Sequence, residues 1–146
     1  MYDQIIKHIK THLMLSYEKD LIIDPNAMDD GFMDGLQSLT KMALFYNKSP
    51  GVSENVMPLD FLQIDFERYD KTFLSGLWYD DIHIISQPPQ DKVVEFIEAA
   101  CKFAQSVSFI MPKNIEGAFP PHFHRLFTQD LPEKGMVFQI WLKADY

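Results

Sequence analysis

The chain has 146 residues, a length typical of one domain, and its 47% hydrophobic content is enough for an ordinary core and argues against disorder. The net charge is −8, from 13 Lys and Arg against 21 Asp and Glu. With no basic cluster beyond Lys7 and Lys10, direct nucleic-acid binding by the chain alone is not expected.

No apolar run approaches the roughly 18 residues that a membrane span needs. Met1-Tyr2-Asp3-Gln4 lacks the basic segment of a signal peptide. Cys101 is the only cysteine, so no internal disulfide forms. An intracellular setting, cytoplasmic or nuclear, is the expectation.

In chain order, Ile5, Ile6, Ile9 and Leu13 are spaced as one helix face, predicting a helix over 2–15. Leu21-Ile22-Ile23 reads as a buried strand ended by Asp24-Pro25. Asn26 to Asp30 is a loop of turn and capping residues. Phe32, Leu36 and Leu39 continue as a helix that Asp29 or Asp30 can cap. Met42 to Tyr46 predicts the second strand, and Asn47 to Asn55 a loop around Pro50-Gly51. Val56 to Leu59 predicts a short third strand, weakened by Pro58. A polar connection carrying Phe66, Tyr69 and Phe73 leads to the fourth strand, Asp81 to Ser86. Val93, Val94, Ile97, Ala100 and Ala104 make a helical face over 91–104. Val107 to Met111, closed by Pro112, is the fifth strand. Residues 113–130 read as irregular, and Met136 to Leu142 as the last strand. Strands alternating with helices predict one α/β domain over 1–146, with a mostly parallel sheet core at about 20–143 and helices on both faces.

The fourth strand ends in Ser86-Gln87-Pro88-Pro89-Gln90. This layout resembles the strand-end motif of amino-methyltransferases acting on adenine and related targets, which carry Asn or Asp, Pro-Pro and an aromatic. The order of elements over about 17–143 is likewise similar to class I S-adenosylmethionine-dependent methyltransferases, including viral and phage members of that group. The resemblance implies a Rossmann-like fold and S-adenosylmethionine as cofactor. It places Asp24, Asn26, Ala27 and Asp29 at the cofactor's methionine end, and Asp60 of Asp60-Phe61-Leu62 near its adenine. It places Gln87, Pro88, Pro89 and Gln90 at the catalytic motif.

This sequence departs from the pattern where the chemistry would be. Family members often read Glu-Pro-Ser-Ala-Gly-x-Gly-x-Phe after the first strand; here Met28 and Asp30 stand at the glycine positions. Glycine there lets backbone approach a ligand closely, so weakened cofactor binding is expected. Asp29 and Asp30 either face the cofactor's ammonium or cap the following helix. The acidic residue that ends the family's second strand is matched by Phe45 or Tyr46, neither of which holds ribose hydroxyls. Asp60 either meets the adenine or caps its own loop. Gln87 has the amide of the family's Asn but one more methylene, and a misplacement of about 1 Å can cost roughly a hundredfold in rate. Gln90 has little surface for stacking a flipped base. Pro88-Pro89 otherwise reads as a strand end and helix start.

Other groupings are weaker. His8 and His12, and His122 and His124, lack a third ligand nearby, so no metal centre is expected. His83 reads as a core or half-buried histidine, and Cys101 as packed and unreactive. Phe119, Phe123 and Phe127 mark a candidate interface. Losses at three separate places predict a catalytically degenerate methyltransferase-like domain, a pseudoenzyme acting through a protein partner. The alternative is an active enzyme acting on adenine in nucleic acid or on another amine.

Overall fold

Alternation along each central strand builds two cores. In β1 (Leu21–Asp24), Leu21 and Ile23 face one side of the sheet and Ile22 the other. The pattern repeats with Ile84 and Ile85 in β4 (Ile82–Ser86), and with Phe109 and Ile110 in β5 (Ser106–Pro112). Such strands are apolar throughout because both faces are covered. The computed structural model describes residues 2–65, 79–131 and 135–144. The expected connection with Phe66, Tyr69 and Phe73 therefore lies outside the described residues.

Two helices cover one face. They are α1 (Tyr2–His12), through Ile5 and Ile9, and α2 (Asp30–Gln37), through Phe32, Met33 and Leu36. The other face is covered by α3 (Val93–Cys101), through Val93, Phe96, Ile97 and Ala100. Asp29 caps α2 by accepting from the Phe32 N–H at 2.8 Å, which resolves the choice between Asp29 and Asp30. The strands β2 (Met42–Asn47) and β3 (Met57–Pro58) complete one half of the sheet. β3 is short because Pro58 has no N–H to donate.

Among the described residues the sheet has seven strands in the order β3-β2-β1-β4-β5-β7-β6. β1 to β5 pair in parallel, and β7 (Met136–Lys143) runs antiparallel to β5. The strand order reverses between β1 and β4, so a crevice opens at their carboxyl ends.

Three expectations need correction. The segment 113–130 is not irregular: a 3₁₀ turn at Lys113–Ala118 leads to β6 (Phe123–Asp130), antiparallel to β7. A register shift between Arg125 and Phe127 reverses the side-chain parity. Phe123 therefore enters the core beneath α3 and Phe127 the core beneath α1. Secondly, α1 stops at His12 rather than residue 15. Thirdly, the 91–104 helix is shorter, with a 3₁₀ turn at Gln90–Lys92 before α3.

Candidate functional site

The crevice is built from the segments that leave the parallel strands. After β1, the Asp24 side chain turns back on its own loop and accepts from the Asn26 N–H at 3.0 Å. The Asn26 side chain crosses to β4, donating to the Gln87 carbonyl at 2.8 Å. Asn47, at the end of β2, donates to the Ala27 carbonyl at 2.9 Å, and the Ala27 N–H donates to the Tyr46 carbonyl at 2.9 Å. The loop is thereby tied to both neighbouring strands. No positive φ occurs between Asp24 and Gly31; among the described residues only Gly51 and Gly135 have one. Gly31 lies inside α2 and does not supply a tight turn.

A cavity of about 340 Å³ lies between these loops, within the size range of small-ligand sites. Asn26 and Asp60 are on its wall, with Lys48, Pro89, Lys92 and Phe96. The Asp60 side chain also accepts from the Leu62 N–H at 3.1 Å, so it both caps its turn and faces the cavity. Asp24 and Ala27 are buried instead, and Asp29 is engaged as the α2 cap. β2 continues to Asn47, so its last residue is Asn47 and not Phe45 or Tyr46, which are both buried. Its oxygen accepts from the Ser49 N–H at 2.8 Å.

The Asp24 carboxyl is only 2% exposed. Burial pushes its pKa up to about 7, against the opposing hydrogen bonds from the Ser86 hydroxyl at 2.6 Å and the Asn26 N–H. This group is held by the protein's own donors and does not line the cavity.

At the end of β4, Gln87 is half-buried and its side-chain oxygen accepts from the Tyr2 hydroxyl at 3.0 Å. Tyr2 stacks on Phe32, with centroids 4.8 Å apart. The Gln87 amide is thus joined to both helices on that face. Pro88 is buried, Pro89 borders the cavity, and the Gln90 amide reaches the Met136 sulfur at 3.9 Å. Reading the sequence missed Tyr2, Asn47, Lys48, Lys92 and Phe96. Only the crevice rule, applied to the end of β2, would have pointed to Asn47 and Lys48.

The remaining groupings have structural surroundings. Burial pushes the Cys101 thiol up to about 12, leaving it inert. His8 and His12 do not stand free on the surface; their rings pack on Phe127 at 4.5 and 4.4 Å. Phe119 stacks on Trp141 at 4.2 Å, and Phe123 is buried. What this segment offers outward is His122, His124, Arg125 and Leu126.

No protein-family model matches the sequence, and neither does any curated protein. Solved structures do match. A proposed methylase from Haemophilus influenzae superposes with a TM-score of 0.71 at 13% identity, covering 99% of both chains. The 23S rRNA methyltransferase ErmE gives 0.69 at 10% identity, over 97% of this chain and 68% of its own. The N-methyltransferase NodS from Bradyrhizobium japonicum gives 0.63 at 8% identity, over 99% and 94%. At these identities the likeness shows the fold alone, a Rossmann-like α/β architecture with a seven-stranded, mostly parallel sheet among the described residues. No helix among the described residues is long and apolar enough to cross a membrane.

Proposed function

We propose that this domain is a catalytically degenerate methyltransferase-like body that acts by binding, in assembly with a protein partner. The observation that carries the reading is the Tyr2–Gln87 hydrogen bond of 3.0 Å. Attack by an amine on a methyl group needs the amine's N–H groups held by fixed acceptors so that its lone pair points forward. The strand-end amide oxygen that would serve is occupied by Tyr2. The Gln87 carbonyl is occupied by Asn26. No aromatic follows Pro88-Pro89 to stack a base. The missing acidic residue at the end of β2 and the tied loop after β1 weaken the hold on S-adenosylmethionine as well.

The second reading, an active amino-methyltransferase on adenine in nucleic acid or on another amine, is favoured by one observation. The cavity of about 340 Å³ has Asn26 and Asp60 on its wall at the carboxyl ends of the strands. In that reading Gln87 holds the amine, Asp60 the cofactor's adenine, and Asp24 with the Asn26–Gly31 loop its methionine end. Neighbours named as rRNA methyltransferases support RNA as the substrate class.

Calorimetric titration with S-adenosylmethionine and its demethylated product decides between them. Absence of binding up to about 1 mM, roughly −4 kcal/mol, is the expected result. Micromolar binding, followed by methyl transfer that Gln87→Ala abolishes, would establish the second reading.

A further inference from the structure

We propose that Asp20, Asp81 and His83 form a divalent-cation site, suited to Zn²⁺, at the amino-terminal edge of the sheet. This site lies at the opposite ends of the strands from the crevice and is independent of the functional reading above. Asp20 directly precedes β1, and Asp81 directly precedes β4. Asp81 and His83 are two residues apart, on one face of that strand. Backbone bonds fix the approach: the Leu21 N–H donates to the Asp81 carbonyl at 2.9 Å, and the Asp80 N–H to the Lys19 carbonyl at 2.7 Å.

One imidazole nitrogen and two carboxylates then converge, with ligand atoms all within 4.8 Å of one another. His83 Nε2 stands 3.3 Å from Asp20 Oδ2. That is long for a hydrogen bond to a carboxylate. Two ligands at about 2.0–2.1 Å from a tetrahedral zinc ion are themselves about 3.3 Å apart. The outer contacts also suit a metal ligand. His83 Nδ1 lies 2.6 Å from Ser106 Oγ, so an N–H donated there leaves the Nε2 lone pair facing Asp20. The Ser16 N–H donates to Asp20 Oδ2 at 3.0 Å and orients the carboxylate. Asp20 and His83 are buried while Asp81 is exposed, which gives an ion a path inward and leaves room for a water ligand. Two carboxylates and a neutral imidazole match a 2+ ion in charge.

The test uses the full chain, stripped with a chelator and titrated with ZnCl₂ by calorimetry and with CoCl₂ by visible absorption. One saturable equivalent of Zn²⁺, with Co²⁺ bands of a four-coordinate nitrogen and oxygen site, is the expected result. Asp81→Asn, at an exposed position, should weaken binding by at least about tenfold, and Ser106→Ala by about tenfold. Metal-free Asp81→Asn should melt as the parent does, which separates ligand loss from misfolding. No saturable binding by about 1 mM Zn²⁺ would leave only a polar contact between His83 and Asp20, and overturn the proposal. Full affinity in Asp81→Asn, or loss of binding in His122→Ala/His124→Ala, would do the same by placing the ion elsewhere.

Discussion

Asp24 carries an unusual electrostatic cost for a single side chain. Its pKa rises from 3.8 to about 7 because burial removes water from the carboxylate. The folded state therefore holds a proton that the unfolded state releases between about pH 4 and pH 7. Stability is full below pH 4 and falls as pH rises through 7, by on the order of 4 kcal/mol. Asp24→Asn keeps an acceptor for the Ser86 hydroxyl and removes the charge. The variant should melt higher than the parent at pH 8 and close to it at pH 4, which thermal unfolding across pH reads directly. A parent whose stability is flat from pH 4 to pH 8 would contradict this account of Asp24. The same burial explains why Asp24 is a poor anchor for a cofactor's ammonium: it is 2% exposed, and its Oδ1 already accepts from Ser86 and Asn26.

At the scale of elements, β6 shows how a local irregularity decides what a strand does. Phe123 and Phe127 are four residues apart, and a regular strand would place both on one face. The shift between Arg125 and Phe127 sends them into different cores, so one edge strand helps to seal both faces. Phe123→Ala should cost about 3–5 kcal/mol in denaturant unfolding. Leu126→Ala, on the exposed side at 45% accessibility, should stay within about 0.5 kcal/mol. Equal effects at the two positions would mean that β6 does not seat Phe123 as described. Joining the loop after β1 to β2 and β4 is the corresponding device at the crevice, where the side-chain amides of Asn26 and Asn47 hold the loop to its neighbours.

For the whole molecule, the charge of −8 bears on partners. Affinity for nucleic acid without a specific site rests on releasing counterions from phosphates, which needs a cationic face. The purified chain alone should not retain an RNA oligonucleotide in filter binding at about 0.15 M salt up to roughly 100 μM protein. A partner with a basic surface would supply the missing grip, and the complex should then show the salt dependence that the chain lacks. Tight binding of RNA by the chain alone would instead favour the active-enzyme reading.

The amino-acid sequence by itself determined the central architecture. Leu21-Ile22-Ile23, Ile82 to Ser86 and Val107 to Met111 are apolar on both faces, which only a sheet covered on both sides satisfies. Asp29 before a helical face, and Pro88-Pro89 after a strand, are local signals that do not depend on distant residues. Asn26 and Asp60, singled out through the resemblance of their motifs, do lie on the cavity wall. Tertiary structure alone decided the rest. Tyr2 and Gln87 are 85 residues apart, and Asp20 and His83 are 63 apart, so neither pairing leaves a trace in spacing. β6 stayed hidden because an edge strand is mostly exposed and its bulge breaks the period of two that sequence reading depends on. Whether Asp24 faces a ligand or the core depends on which loops pack above it, a consequence of chain topology rather than residue type.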